Sequence, residues 1–342
     1  MGRATWPHDW NVILWDTSSA SKLQTFRRHT GPVKSVALSN DGKQLATGSD
    51  DTWAILYDSS SGKQLETMWH NHSVNGVALS SDGKHLATGL GNSNAMLWES
   101  SSAKLLRTFV GHAGPVSSLA FSGDGKHLVT GSWDQTAALW EISSAKQLQT
   151  FKGHAGRVTC LAFSGDGKHL VTGSEDATAI LWQASTGKKL QIYQGHAEAV
   201  TSVTLSGDGC KAVTGSDDGT AILWETLTGK QRLTFKAYPS PVRSVAITPD
   251  SKHLWTGSQD GIVRLWDALT GQELCSLVSL DGGKDWLVVS PDGFFDGSKG
   301  GWRYVSYRRA GTLELVDDDA TLQRYYRPGL MGLLLKGQKL KA

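Results

Sequence analysis

The twelve residues FSGDGKHLVTGS occur twice, letter for letter, at Phe121–Ser132 and Phe163–Ser174, 42 residues apart. Looser copies stand at Leu38–Ser49, Leu79–Leu90 and Leu205–Ser216. A long, constant period means one supersecondary unit copied along the chain, each copy unable to bury both of its faces alone. One aromatic position carries the period. Trp15, Tyr57, Trp98, Trp140, Trp182, Trp224 and Trp266 are separated by 42, 41, 42, 42, 42 and 42 residues, each after Leu and before Asp, Glu or Gln.

Within a unit the pattern is that of strands: VSSLAFS, KHLVTGS, TAALWE and KQLQTF follow one another with turn residues between. Asp-Gly pairs join the first two strands at Asp41-Gly42, Asp82-Gly83, Asp124-Gly125, Asp166-Gly167 and Asp208-Gly209. Such pairs favour the turn whose twist matches two antiparallel strands. Four short strands per unit, repeated, predict a β-propeller in which neighbouring blades cover one another's faces.

Composition excludes several alternatives. With 34 basic and 32 acidic residues there is no strong field to attract nucleic acid or a membrane surface. At 39% hydrophobic the chain buries a sizeable core. The three cysteines, Cys160, Cys210 and Cys275, form no Cys-x-x-Cys pair, so neither a disulfide framework nor a zinc site is expected. No apolar run spans a bilayer and the first residues lack an apolar leader core, so a cytoplasmic protein is expected.

The segment GHAGPVSSLAFSGDGKHLVTGSWDQTAALWE at Gly111–Glu141 resembles a WD-repeat, with Gly-His near its start and Trp-acid at its end, and the resemblance extends from about Asn11 to Ser298. It implies an all-β fold: a seven-bladed β-propeller of four-stranded antiparallel blades. It also implies an internal hydrogen-bond set in each blade, joining a loop His, a strand Ser or Thr, a turn Asp and the Trp. That set maps onto His112/Asp134/Trp140, His154/Asp176/Trp182 and His196/Asp218/Trp224, with Thr130 or Ser132, Thr172 or Ser174, and Thr214 or Ser216 as the hydroxyl. Three blades depart from it: Tyr57 stands for Trp, Asn92 for Asp, and Tyr238 for His.

Ser, His and Asp in company invite a catalytic reading, but a set repeated in blade after blade and tied to a buried Trp is structural. The Gly-Asp-Gly runs lack the closing Glu of a calcium loop. His85, His127, His169 and His253 fall on separate sheets, too far apart for one metal. No catalytic residue, metal site or cofactor is expected.

The ends of the repeat are incomplete. NVILWD and KLQTF supply two outer strands near the start, and DWLVVSPDGFFDGS at 285–298 supplies two more, its DGS echoing TGS. Pairing them would abolish two exposed edges. The expectation is therefore a propeller over 11–298 in seven blades, with 11–27 and 285–298 sharing the closing blade, and a partly helical extension over 299–342. The rival is eight blades, using WRYVSYR and TLELVD. Acidic residues open a helix within DDDATLQRYYRPGLMGLLLKG and Pro328 ends it, leaving Leu330, Leu333, Leu334 and Leu335 to fold back or meet a partner. The last part of the repeat and YRPGL also resemble the segment after the propeller in bacterial WD-repeat proteins associated with caspase-like peptidases.

The function expected is a non-enzymatic protein–protein interaction scaffold, monomeric, binding protein or peptide and neither nucleic acid nor membrane. The alternative is a sensor or regulatory domain of a larger signalling or caspase-like protease system. The family places the residue before each turn Asp on one rim, and here these are Asp50, Gly91, Trp133, Glu175, Asp217 and Gln259. They vary while their neighbours repeat. Trp133 is an expected anchor, and Arg157 and Arg243 stand near the starts of inner strands on the same face.

Overall fold

The computed structural model describes residues 10–236, 240–308, 315–316, 319–338 and 340. Two strands, β1 (Val12–Trp15) and β2 (Lys22–Phe26), precede six sheets, the blades. Blade 1 holds β3 (Val33–Leu38), β4 (Gln44–Ser49), β5 (Trp53–Asp58) and β6 (Gln64–Trp69). Blade 2 holds β7 (Val74–Leu79), β8 (His85–Leu90), β9 (Ala95–Glu99) and β10 (Lys104–Phe109). Blade 3 holds β11 (Val116–Phe121), β12 (His127–Ser132), β13 (Thr136–Glu141) and β14 (Gln147–Lys152). Blade 4 holds β15 (Val158–Phe163), β16 (His169–Ser174), β17 (Thr178–Gln183) and β18 (Lys189–Gln194). Blade 5 holds β19 (Val200–Leu205), β20 (Lys211–Ser216), β21 (Thr220–Glu225) and β22 (Gln231–Lys236). Blade 6 opens with β23 (Val242–Ile247), β24 (His253–Ser258), β25 (Ile262–Asp267) and β26 (Glu273–Leu280).

The second strand of a blade explains why the repeat is needed. In β12 only His127 is not fully buried, so both faces of this strand are covered. One face takes the blade before and one the blade after, and the first strands β3, β7, β11, β15, β19 and β23 pack in succession. The glycine of each Thr-Gly-Ser is where the next blade enters. A Cβ on Gly131 would lie 2.8 Å from Val158 Cγ1 and 3.2 Å from Leu161 Cδ2, so only the missing side chain lets those knobs in. Gly48, Gly89, Gly173 and Gly215 receive the corresponding pair of the blade that follows each.

The Asp-Gly connection differs from the tight two-residue turn that its sequence favours. Only the glycine takes a positive φ, 70° at Gly42 and 67° at Gly125. Gly125 N–H donates to Ser122 O and Ser122 N–H to His127 O, giving a longer loop. The Asp is used instead as an acceptor, taking Ser122 Oγ–H at 2.6 Å and Lys126 N–H at 3.0 Å, which satisfies the loop locally.

The described strands form six blades, and the expectation of seven is overturned. β27 (Asp285–Val289) pairs with β26, and β28 (Phe295–Gly297) pairs with β27, so blade 6 becomes a six-stranded sheet. β1 pairs with β2 in a separate two-stranded sheet, and 11–27 and 285–298 do not share a blade. The cause is local. Asp281, Gly282 and Gly283 take φ of 48°, 64° and 79° and reverse the chain within a few residues. Pairing β27 with its sequence neighbour closes a very short loop, at less entropic cost than reaching a strand near the other terminus.

The two ends still meet by side-chain packing. Phe26, with Val12 and Leu14, covers Leu45, Ile55 and Tyr57 of blade 1. The opposite face of β1 meets blade 6, with the Trp15 and Trp286 rings 6.3 Å apart and Lys22 Nζ donating to Gly283 O at 2.5 Å. Beyond Ser298 lie two-residue strands β29 (Tyr307–Arg308) and β30 (Leu315–Val316), then helices α1 (Asp319–Tyr325) and α2 (Leu330–Leu335). Leu330 and Met331 are buried with Ala20, Cys275, Leu277 and Phe294, so α2 wedges against both the N-terminal hairpin and the last sheet. The buried Asp296 holds this wedge, accepting Gly329 N–H at 2.7 Å. Among the described residues no helix is long and apolar enough to cross a membrane.

Candidate partner-binding rim

The sets of His, Thr, Asp and Trp fix the loops that carry the rim. In blade 3, His112 Nδ1 lies 2.8 Å from Asp134 Oδ2, His112 Nε2 lies 2.7 Å from Thr130 Oγ1, and Trp140 Nε1–H donates to the same hydroxyl at 2.8 Å. Blade 4 joins His154, Asp176, Thr172 and Trp182 likewise, at 3.0, 2.8 and 2.8 Å. Blade 5 joins His196, Asp218, Thr214 and Trp224 at 2.9, 2.8 and 2.9 Å. A neutral imidazole with its proton on Nδ1 satisfies every group: it donates to the carboxylate, accepts the Thr proton, and leaves the Thr oxygen to the indole. The hydroxyl is Thr in all three. Ser132 and Ser216 instead donate to Gly114 O and Glu198 O.

Burial alone would raise the Asp134 carboxyl, but hydrogen bonds from Thr136, Ala113 N–H and His112 outweigh it and hold it below the ordinary carboxylate value. Asp176 and Asp218 are held down in the same way. Burial pushes His154 and His196 below the usual imidazole value, opposed in part by Asp176 and Asp218. Thr130, Thr172 and Thr214 have 0% exposure, while the partly buried Thr178 and Thr220 hydroxyls lie 3.4 and 3.1 Å from His154 Nδ1 and His196 Nδ1 and donate to Asp176 and Asp218 at 2.6 Å. Among the described residues no three His, Cys, Asp or Glu side chains converge in a way that could hold a metal ion.

The departing blades show what the set does. Blade 1 keeps His29 on Asp51 and Thr47, at 2.8 and 2.7 Å, but Tyr57 replaces the indole, and its buried hydroxyl makes no hydrogen bond of normal geometry among the described residues. In blade 2, Asn92 does not reach His70, whose Nδ1 lies 3.3 Å from Thr52 O instead, and burial lowers His70 to about 4. In blade 6, Asp260 takes the Arg264 guanidinium at 3.2 Å, and Trp266 still donates to Thr256 at 2.9 Å. Tyr238 lies outside the described residues.

Each rim residue is anchored by its own N–H, and all but Gly91 carry a side chain there. Trp133, Glu175, Asp217, Gln259, Asp50 and Gly91 donate to the carbonyls of Pro115, Arg157, Ala199, Pro241, Pro32 and Ser73. Trp133 is 43% exposed. Arg157 lies over the Trp133 ring, 4.3 Å from its centroid, and reaches Glu175 at 3.5 Å, tying blade 3 to blade 4. Arg243 donates to Asp217 and Gln259 at 2.6 Å each, tying blade 5 to blade 6. Asp50 stands apart, paired with Lys34 at 3.0 Å. The structure thus brings together Trp133, Arg157 and Glu175 in one group, and Asp217, Arg243 and Gln259 in a second. The arginine bridges went unread in the sequence because they cross between blades. The only signal was a cation where most other repeats carry Ala, Pro, Ser or Thr.

Stacked antiparallel blades, a buried tryptophan network and a variable rim define a β-propeller built from WD repeats. The chain belongs to that family: the model described as "IFT122 first beta-propeller" matches residues 116–288, half of the chain, and "WD domain, G-beta repeat" matches 20–58 and 62–99. It is similar to the guanine nucleotide-binding protein subunit beta of Arabidopsis thaliana, 44% identical over 17% of this chain and 16% of that protein. It also resembles cell division cycle 20.1, cofactor of APC complex, of the same plant, 39% identical over 19% and 14%. A third likeness is to eukaryotic translation initiation factor 3 subunit I of Culex quinquefasciatus, 39% identical over 17% of each chain. The matches span less than a fifth of these relatives' lengths.

Proposed function

We propose that this protein is a non-enzymatic scaffold whose rim, centred on Trp133, binds a protein or peptide partner. The observation that carries the reading is the half-exposed indole itself. Its backbone is fixed by Pro115 and one face of its ring is stacked by Arg157, yet 43% of the residue stays open to solvent. A rigid aromatic beside a guanidinium and a carboxylate loses little entropy when it becomes an anchor. Burying the remaining face of such a ring, roughly 100 Å² at about 25 cal/mol per Å², would contribute about 2–3 kcal/mol before ordering losses. Arg157 and Arg243 supply forked donors for a partner's carboxylates or main-chain carbonyls, and Glu175 and Asp217 keep them extended. The names of the relatives, a subunit beta, a cofactor of a complex and a factor subunit, agree with an interaction role.

Affinity capture from the native source with the intact protein and with Trp133→Ala tests this reading. Loss of a captured protein at unchanged melting temperature supports it. Capture that is unchanged while the melting temperature falls sharply makes Trp133 a packing residue and overturns it.

A further inference from the structure

Five blade junctions repeat one contact, and the junction between blade 6 and blade 1 lacks it. Val77, Leu119, Leu161, Val203 and Val245 enter the glycine face of the blade before them and are 6, 8, 8, 9 and 7% exposed. Val36, the same residue of blade 1, is 53% exposed, and Leu38 beside it is 47% exposed. The matching socket is also open. A Cβ on Gly257 would meet only Ser244 Cβ, at 3.9 Å, whereas one on Gly215 would strike Val242 and Val245 at 2.8 Å. Ser244 and Ala246 on β23 are exposed. Ser202 accepts Val245 N–H from the next blade at 3.1 Å, but its counterpart Ser244 has no such partner among the described residues.

The outer half of this junction is occupied. Gln24 Nε2 donates to Ser60 O, as Gln149 donates to Ser185 O and Gln191 to Thr228 O at ordinary junctions. The β1–β2 hairpin therefore stands against blade 1 as the outer two strands of a blade would. Among the described residues β1 pairs with β2 alone, which leaves its inner edge open there. An unpaired edge, an uncovered apolar face and an unfilled glycine socket bound one space.

We propose that this opening binds a β-hairpin supplied by a different polypeptide. The first strand of that hairpin carries β-branched apolar residues for the Gly257 face, and its second strand carries a glycine opposite Val36. The five intact junctions are the template: what fits there must offer Val or Leu knobs to the sheet on one side and a bare backbone to the sheet on the other. The edge of β1 supplies main-chain hydrogen bonds to the hairpin's second strand. The surface is distinct from the Trp133 rim, so the two readings stand or fall separately.

The test uses the whole chain and a synthetic peptide spanning Val74–Leu90, the inner hairpin of blade 2, as probe in titration calorimetry. Saturable one-to-one binding, weakened at least tenfold by Val36→Asp and by Gly257→Val, is expected. Absence of saturable binding, or binding indifferent to both substitutions, overturns the proposal. Both positions are open in the free chain, so Val36→Asp is expected to lower the melting temperature far less than Val77→Asp. Equal losses would show that the chain covers this face itself. A concentration-dependent dimer in sedimentation that Val36→Asp dissolves would make a second copy the occupant and overturn the assignment to another polypeptide.

Discussion

The Arg157 guanidinium lies over the Trp133 ring at 4.3 Å from its centroid, and through this contact the rim of blade 3 is coupled to blade 4. Trp133 is thus neither a core residue nor a free one. A double-mutant cycle of Trp133→Ala and Arg157→Ala in urea unfolding is expected to give a coupling of about 0.5–1 kcal/mol, the range of a solvent-exposed cation–π pair. A coupling near zero would mean that the stack is not held in solution.

His70 is the imidazole whose carboxylate partner is replaced. With Asn92 in place of Asp, burial lowers it from 6.5 to about 4. A histidine whose folded value lies below its unfolded one favours folding when neutral, so its contribution is complete above pH 6.5 and is lost as pH falls towards 4. The loss from this one group is on the order of 3 kcal/mol. Asn92→Asp is expected to recover about 1 kcal/mol or more of it near pH 5, read as a flatter dependence of urea midpoint on pH. An unchanged pH profile would show that the introduced carboxylate does not reach the ring.

Tyr57 fills the place of a tryptophan without its hydrogen bond. It is 2% exposed, packs on Phe26 at 4.9 Å between ring centroids, and its hydroxyl makes no hydrogen bond of normal geometry among the described residues, with burial pushing the phenol up to about 12 against the nearby Thr47 hydroxyl. Removing an unsatisfied buried hydroxyl relieves its desolvation cost, so Tyr57→Phe is expected to stabilise by about 1 kcal/mol in urea melts. Destabilisation by a similar amount would show that the phenol bonds the nearby Thr47 hydroxyl.

Gly332 holds α2 against the N-terminal hairpin. A Cβ there would sit 2.0 Å from Ser18 O, a backbone atom that cannot swing away. Gly332→Ala is expected to cost about 1–3 kcal/mol and to expose the C-terminal segment to limited proteolysis ahead of the blades. Proteolysis at the same rate as the unsubstituted chain would show that α2 is not wedged in this way.

The sequence by itself determined the blade. Period, Asp-Gly loops and the Leu-Trp-acid ending are local features, and Leu128 opposite Trp140 in blade 3 has its counterpart, Leu170 opposite Trp182, in blade 4. The hydrogen-bond partners His112, Asp134 and Trp140 were legible for the same reason: they sit at fixed offsets within one repeat. Choosing Thr130 over Ser132 needed the structure, because residues two apart in a strand share one face and only the register, with Leu128 opposite Trp140, decides which hydroxyl the indole reaches. What happens between blades was not in the pattern. The Arg157 stack on Trp133, and the pairing of β27 with β26 rather than with the first strands, are decided by how the chain reverses at Asp281–Gly283 and by which neighbour it then meets. Repetition specifies each sheet through short-range contacts. The closure of the set depends on residues nearly a whole chain length apart, and there the tertiary structure alone decided.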